Sequence, residues 1–249
     1  MKIVLETIPV WDSLKKNEEC FLCSLTKEAE KDAVSYYLSS AIMTPEVRVE
    51  TNRYGFCKTH MRALAEGGKP QSLSLLMDTY YDENKNSLSS SFRAIESASK
   101  AKKAEKAIEE FKARWAERMN GCLICTRMED RLYRYAYTVA ALFAEDPDFK
   151  KELLASKGFC VEHTLKLAEV AKDALSGDAL LEFYKAIFSL LERNLDRVQH
   201  DDWWMSQKYK SENKDKDWNG CEDAHKRAVY KLVGEVSVID PLKNKKSKI

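Results

Sequence analysis

Six of the seven cysteines in this 249-residue chain occur in two sets, and each set ends in a histidine. Both sets consist of a Cys-x-x-Cys pair followed by a Cys-x-x-His pair. The eight residues are Cys20, Cys23, Cys57 and His60 in the first set, and Cys122, Cys125, Cys160 and His163 in the second. Zinc at tetrahedral protein sites is bound by thiolate sulfur and imidazole nitrogen. The pattern therefore predicts two Cys₃His metal sites that bind two Zn²⁺ per chain.

The spacing within the two sets is nearly the same. Between the second and third cysteines lie 33 residues in the first set and 34 in the second, and the third cysteine follows Gly-Phe in both. A proline stands 22 residues after the second cysteine in each set, at Pro45 and Pro147. These matches indicate an internal duplication. We assign residues 12–100 to a first zinc-binding repeat and residues 101–200 to a second.

Each repeat supplies four soft ligands, so the simplest assignment places one complete Cys₃His site within each repeat. Duplicated units can also exchange halves, in which case the first Cys-x-x-Cys pair would meet the second Cys-x-x-His pair. Four protein ligands leave no position for a reacting water, which favours structural over catalytic zinc. An iron–sulfur cluster is the alternative metal group, and buried reduced cysteines are the alternative without a metal.

The elements that position these residues are predicted to be helices. Gly and Pro are scarce, at 8 and 5 residues, and no segment shows the alternating pattern of a strand. Apolar residues recur at steps of three and four, as in Met128, Leu132, Tyr135 and Val139. Each repeat is thus expected to contain a long helix after Cys-x-x-Cys, a short helix after the proline, a helix beginning at Cys-x-x-His, and a further long helix. The predicted fold is all-α, built from two pseudo-repeats that are each organised around a Cys₃His site.

Two polar stretches interrupt this pattern. Residues 81–100 are Ser-rich and predict a kinked helix or a linker, and residues 200–220 predict an irregular segment. Glu66 and Glu169, which follow the two histidines at similar distances, are candidates to orient the imidazoles or are simply exposed helix residues.

Residues 201–249 are predicted to comprise an irregular Trp-rich segment, a C-terminal helix that ends at Gly234, and a Lys-rich tail. Asn219-Gly220-Cys221 echoes the start of the second repeat, and we interpret Cys221 as a remnant of the motif or a helix-entry residue. Metal binding by Cys221 with His225 is the alternative. The aromatic residues between Trp203 and Trp218 are expected to pack locally, or else to cover a pocket or contact a partner. Residues 242–249 are expected to be mobile.

The charge and hydropathy patterns exclude several classes of protein. With 41 Lys and Arg against 40 Asp and Glu, the net charge of +1 gives no basic excess for nucleic acid. The longest run without a charged residue is 13 residues, too short for a membrane span. The N-terminal segment does not resemble a secretory signal, so a reducing, cytoplasmic location is expected. Gly-rich phosphate loops and HExxH or GxSxG motifs do not occur.

The doubled Cys-x-x-Cys and Gly-Phe-Cys-x-x-His pattern resembles an uncharacterised prokaryotic family of domain-of-unknown-function proteins, number 6062. The resemblance rests on the eight residues above and extends over nearly the whole chain, including the Asn-Gly-Cys helix near the C-terminus. It implies a cytoplasmic, helical zinc protein, and it implies no reaction, substrate or partner.

These features favour a non-enzymatic binding or regulatory module with structural zinc, whose partner is a protein or a small molecule. One alternative is a redox sensor that releases zinc when its thiols are oxidised. The other is an enzyme or small-molecule binder with a pocket between the repeats.

Overall fold

The computed structural model describes residues 6–235, and within that range the protein consists of α-helices joined by turns, with no β-strand. The predicted all-α class is therefore confirmed. The helices are α1 (Thr7–Lys15), α2 (Phe21–Tyr37), α3 (Pro45–Tyr54), α4 (Lys58–Glu66), α5 (Pro70–Glu96), α6 (Ala101–Asn120), α7 (Leu123–Glu145), α8 (Pro147–Ala155), α9 (Val161–Ala174), α10 (Gly177–Lys208) and α11 (Ala224–Val233). Short 3₁₀ turns occur at Ser40–Met43 and Ser211–Asn213.

The order of helices around the motifs is the predicted one. A long helix follows each Cys-x-x-Cys pair (α2 and α7). A short helix begins at the proline that stands 22 residues after each pair (α3 and α8). Proline suits this first helical position because its fixed φ matches the helix and its missing N–H would have had no partner there. The Asp146 side chain accepts hydrogen bonds from the N–H groups of Asp148 and Phe149, which caps α8.

The helices extend further than the sequence predicted. The Ser-rich stretch from Tyr81 continues α5 to Glu96, and α10 runs through the aromatic residues 203 and 204 to Lys208. Helix α1 was not predicted at all. The Lys-rich tail at 242–249 lies outside the described residues. None of the helices in the described part of the chain is long and apolar enough to cross a membrane.

The chain divides into two compact units. One comprises Met1–Glu28 and Asp130–Ile249, and the other comprises Ala29–Glu129. We call them the terminal unit and the central unit, after their positions in the sequence. The repeat boundaries at residues 100 and 200 were drawn from motifs and stay a prediction.

Each unit has its own packed core. In the terminal unit α9, α10 and α11 pack against one another and α1 packs on α8, where the Trp11 and Phe149 rings are 5.2 Å apart. In the central unit α5 packs against α3, α4 and α6. The buried Phe56 ring contacts Tyr37 at a centroid distance of 5.0 Å. Buried aromatic pairs of this kind add stability beyond the area they bury.

Candidate metal sites

The eight predicted ligands form two groups within the described residues, but each group combines both sequence repeats. The terminal unit brings together Cys20, Cys23, Cys160 and His163. The central unit brings together Cys57, His60, Cys122 and Cys125. The assignment of one complete site to each repeat is therefore wrong. The exchanged pairing, the first Cys-x-x-Cys with the second Cys-x-x-His, is the one observed.

Both groups are built from the N-terminal ends of two helices. Cys57 and Cys160 are the N-cap residues of α4 and α9, with extended backbone angles, and each histidine is the third residue of its helix. In the Cys-x-x-Cys pairs the first cysteine directly precedes α2 or α7, and the second is the third residue of that helix. The two-residue gap thus turns each pair of ligand atoms toward one point.

The helix ends also favour the thiolate form of these cysteines. A helix N-terminus carries a partial positive charge and N–H groups without helical partners. The His163 N–H donates to Cys160 Sγ at 3.5 Å, and the Cys125 N–H donates to Cys122 Sγ at 3.4 Å. Both effects stabilise negative charge on sulfur, as a metal ligand requires.

In the terminal site, His163 Nδ1 lies 3.3 Å from Cys20 Sγ and 3.4 Å from both Cys23 Sγ and Cys160 Sγ. The sulfur atoms of Cys23 and Cys160 are 3.9 Å apart. All four side chains are buried. The four ligand atoms therefore surround one small enclosed space.

The central site has matching geometry. His60 Nδ1 lies 3.1 Å from Cys122 Sγ and 3.3 Å from both Cys57 Sγ and Cys125 Sγ. The sulfur atoms of Cys57 and Cys125 are 3.8 Å apart. Cys57 and Cys125 are half-buried, whereas His60 and Cys122 are buried.

These distances fit a tetrahedral ion. With metal–sulfur bonds of about 2.3 Å and metal–nitrogen bonds of about 2.0 Å, tetrahedral ligands lie roughly 3.8 Å apart for two sulfurs and roughly 3.5 Å apart for sulfur and nitrogen. The two sulfur–sulfur distances above are within ~0.2 Å of the expected value, and the sulfur–nitrogen distances, from 3.1 to 3.4 Å, are slightly shorter than expected. Both units can therefore hold a metal ion through three thiolates and one histidine Nδ1.

A glycine precedes each Phe-Cys-x-x-His segment because the chain must turn sharply there. Gly55 and Gly158 have φ values of +66° and +68°, a region that L side chains rarely adopt. A Cβ on Gly158 would lie only 2.8 Å from the Leu190 side chain. The next residues, Phe56 and Phe159, are almost completely buried and hold the turn in the core of each unit.

The terminal site is covered by the end of α11. The Glu235 N–H donates to Cys23 Sγ at 3.3 Å, and a Cβ on Gly234 would lie 3.5 Å from the sulfurs of Cys23 and Cys160. Gly234 ends α11 with a φ of +77°, so the predicted end of this helix is confirmed. That distance is an ordinary van der Waals contact, so the positive φ rather than the available space favours glycine at this position.

Lys231, on the same helix, is fully buried beside this site. Its Nζ donates to the carbonyl oxygens of Glu19 and Lys157 at 2.7 and 2.5 Å, and it lies 3.7 Å from a Glu19 carboxylate oxygen. Burial lowers the pKa of Lys231, opposed mainly by the charges of Glu19 and the Cys20 thiol. Lys231 thus ties together the two segments that lead to Cys20 and Cys160. Its charge would also compensate the net charge of about −1 that three thiolates and a divalent ion carry together.

In the central site a carboxylate faces the histidine. His60 Nε2 lies 3.4 Å from Glu30 Oε1, a side chain that is itself mostly buried. A histidine that binds metal through one nitrogen commonly offers its other N–H to a carboxylate, which fixes the ring and increases its basicity. Glu30 occupies that position.

The clustered groups also shift one another's pKa values. Burial opposes protonation of His60, but hydrogen bonds with Cys122 and Cys57 outweigh it and raise its pKa to about 11. Hydrogen bonds with Cys122 and Cys125 lower the pKa of Cys57. For His163, burial is again outweighed, by the Cys20 charge and by hydrogen bonds with Cys160, so its pKa is raised. Hydrogen bonds with Cys122 and Cys57 raise the pKa of Cys125, so the protons in the central cluster are shared unequally among its members. Because ligands must be deprotonated, a metal ion binds such a cluster by displacing protons.

The remaining candidate residues from the sequence lie outside the two ligand groups. Glu66 and Glu169 are exposed on their helices, so Glu30 takes the role proposed for them at His60. Cys221 belongs to neither ligand group of the described residues; it is buried in the turn that enters α11, and burial raises its pKa. His225 is exposed, and its Nδ1 lies 3.3 Å from the sulfur of Met205.

Several aromatic residues of the Trp-rich segment make local contacts, but Trp203 and Tyr209 are 54% and 76% exposed, so the choice between local packing and a partner contact stays a prediction. The Trp204 indole N–H donates to the Asp217 carbonyl at 3.2 Å, and the Tyr209 and Trp218 rings meet edge to face at 6.0 Å. The buried Lys208 ammonium lies 5.4 Å above the Trp218 ring and donates to the Asn213 carbonyl.

Residues 1–238 match the model of a family of unknown function, DUF6062. The chain belongs to this family. Neither a curated protein nor a solved structure matches it. Membership in DUF6062 agrees with the resemblance drawn from the cysteine and histidine pattern. The structure shows that the eight residues of this pattern form two groups in space.

Sequence reasoning missed Glu30, Lys231 and the covering role of Gly234. The duplication gave no signal for Glu30, because the residue at the same distance from the second Cys-x-x-Cys pair is Leu132. Lys231 is one of two lysines on α11, and only the packing of this helix distinguishes it from the exposed Lys226. Gly234 was recognised as a helix end but not as a contact of the thiols.

Proposed function

We propose that this protein is a non-enzymatic binding module whose two units are each held together by one structural Zn²⁺ ion. In the terminal unit the ligands are Cys20, Cys23, Cys160 and His163, and in the central unit they are Cys57, His60, Cys122 and Cys125. The observation that carries the proposal is that eight side chains, distant in sequence, converge in two sets at tetrahedral spacing.

Zinc is favoured over an iron–sulfur cluster by the size of each site. In each group one pair of sulfurs is 3.8 to 3.9 Å apart, and all four ligand atoms lie within 4.8 Å of one another, which leaves room for a single ion. A cluster places several iron and sulfide atoms between its cysteines and needs a wider cage. A Cys₃His set at this spacing suits Zn²⁺, which has no geometric preference of its own.

A structural role is supported by the number of ligands and by their placement. Four protein ligands leave no open position for a substrate or a water. Each ion would join two helix N-termini within its unit, and structural zinc contributes on the order of 10 kcal/mol to folding. Because thiolates must stay reduced for this purpose, a reducing compartment such as the cytoplasm fits the proposal.

The test is metal analysis of protein purified without added metal, combined with X-ray absorption at the zinc and iron edges. We expect two zinc ions per chain, each with three sulfur neighbours and one nitrogen neighbour. One zinc or none, or iron with inorganic sulfide, would overturn the proposal. Removal of zinc with a chelator should reduce the helix content measured by circular dichroism.

A redox role is the second candidate, and the half-buried Cys57 and Cys125 favour it for the central site alone. Their sulfurs are 3.8 Å apart, so two thiolates can give two electrons to peroxide, forming a disulfide and water and releasing zinc. Mild peroxide should then release one zinc per chain, and a thiol reductant with added zinc should restore it. Zinc retention under peroxide would exclude this role.

A further inference from the structure

The central unit contains a cavity that the metal sites do not use. Its volume is about 710 Å³, and its walls come from α3, α4, α5 and α6 together with Gly121. Pockets for small organic ligands typically have volumes of about 300 to 1,000 Å³. The cavity is therefore large enough for such a molecule.

The body of the cavity is apolar. Its walls include three methionines and several aromatic rings, among them Met61, Met77, Phe111 and Trp115. Phe111 and Trp115 lie on one face of α6 with ring centroids 6.5 Å apart, and Trp115 remains 44% exposed. Methionine side chains adapt to the shape of a ligand, and exposed aromatic rings gain free energy when a ligand removes them from water.

The polar part of the wall is strongly cationic. Five basic residues line the cavity against the single acidic residue Glu117, and the five are Arg53, Lys58, Arg62, Arg114 and Arg118. Across residues 6–235 none of the ion pairs joins any of the five to a carboxylate. The chain as a whole is nearly neutral, so this local excess of positive charge indicates an anionic ligand.

One end of the cavity carries polar groups without partners. The Tyr80 side chain is only 6% exposed, and its hydroxyl has no hydrogen-bond partner among the described residues. Nε of Arg118 is likewise buried without a partner, and its guanidinium stacks on the Tyr80 ring at 4.7 Å. Both atoms are closed to solvent, so a molecule in the cavity meets the stacked ring and guanidinium rather than these two atoms.

The Arg118 guanidinium is held in place by backbone carbonyl groups. Its two terminal nitrogens donate to the carbonyl oxygens of Arg53 and Asn52 at 2.5 and 2.6 Å, at the end of α3. These contacts fix the guanidinium without neutralising its charge. Arginine in a fixed position is well suited to bind carboxylate oxygens.

We propose that the cavity of the central unit binds an amphipathic carboxylate, with its apolar body against the methionines and aromatic rings and its head near Tyr80 and Arg118. The inference extends the proposed function, since it gives the binding module a class of ligand. It also depends on that function in part, because Lys58 and Arg62 lie on the helix that carries Cys57 and His60.

The experiment is isothermal titration of the full, zinc-loaded chain with decanoate below its micelle concentration, with decan-1-ol as the neutral probe of equal length. We expect one decanoate per chain and at least about tenfold weaker binding of decan-1-ol, the loss that follows from removing one charged hydrogen-bond partner. Equal affinities, or no binding of decanoate, would overturn the inference.

Arg114→Gln places the ligand, and two further variants are controls. Tyr80→Phe removes only a hydroxyl that is closed to solvent, so folding stability and decanoate affinity should both change little. Arg114→Gln should weaken decanoate but not decan-1-ol. The matched control is Arg93→Gln, an exposed arginine on α5 outside the cavity, which should leave both affinities unchanged. Equal effects of Arg114→Gln and Arg93→Gln would contradict the assignment of the cavity.

Zinc content measured on the same samples separates the two proposals. Two zinc ions per chain without decanoate binding would remove this inference and leave the proposed function. Decanoate binding by a chain with fewer than two zinc ions would support the proposed ligand site and contradict the proposal of two structural zinc ions.

Discussion

The Sγ atoms of Cys23 and Cys160 lie 3.9 Å apart, although 137 positions separate the two residues in the chain. Cys57 and Cys125 form the equivalent contact in the central unit, at 3.8 Å. Each ion would therefore close a contact between the two motif copies.

The crossed pairing predicts how ligand substitutions combine. Cys23→Ser and Cys160→Ser should each remove one zinc, and the double variant should also lack only one, because both residues serve the terminal site. Cys23→Ser combined with Cys57→Ser should lack both ions. Metal analysis of the purified variants measures this directly. If the Cys23→Ser, Cys57→Ser double variant lacked only one zinc, the assignment of one site to each repeat would be restored.

The two sites should release zinc at different rates. The terminal ligands are all buried under Gly234 and Glu235, whereas Cys57 and Cys125 are half-buried. With an excess of a chromophoric chelator we expect two phases of equal size whose rates differ by about tenfold or more, since access controls attack on thiolates. The fast phase should be missing in Cys125→Ser, and the slow phase in Cys23→Ser. A single rate for both ions would contradict this prediction.

Glu30 should strengthen zinc binding at the central site through His60. Glu30→Gln keeps the shape of the side chain but removes its charge, so zinc affinity at that site should fall about 10- to 100-fold. Competition titration with a chelator of known affinity gives the value. Asp32→Asn, an exposed change on the same helix, is the control and should have no effect. If Glu30→Gln behaves like this control, Glu30 does not orient the imidazole.

Lys231 should stabilise the terminal unit. Lys231→Met fills similar space but leaves the Glu19 and Lys157 carbonyl oxygens without their buried donor, while the Glu19 carboxylate keeps its contact with Arg197. We expect a loss of about 2–4 kcal/mol in the free energy of unfolding, measured by denaturant titration of the zinc-loaded protein. Lys226→Met, at an exposed position of α11, should change it by less than about 0.5 kcal/mol. Similar values for the two variants would show that the buried ammonium is unimportant.

Gly158 should not tolerate a side chain. Its φ of +68° and the 2.8 Å approach of Leu190 combine backbone strain with a clash. Gly158→Ala should cost about 2–4 kcal/mol. Gly177→Ala, with a φ of +56° and open space around it, isolates the strain and should cost about 1–2 kcal/mol. Thermal unfolding of both variants provides the comparison, and equal losses would rule out the contact with Leu190.

The amino-acid sequence by itself determined the ligand types, the helical class and the order of the helices. These properties are local: a two-residue gap places two ligands on one helix end, and apolar steps of three and four define a helix face. The lengths of α5 and α10 were underestimated for a related reason. Their polar residues have low helix propensity in isolation, and packing within each unit overrides it.

Only the tertiary structure decided which ligand pairs meet. Either pairing satisfies the same local rules, and the choice depends on which helix N-termini pack together, over separations of up to 143 residues. The same holds for Glu30 at His60, for Lys231 beside Cys20, and for the cationic cavity around Tyr80 and Arg118. Each of these contacts joins residues from different helices, and no spacing within one segment of sequence specifies such a contact.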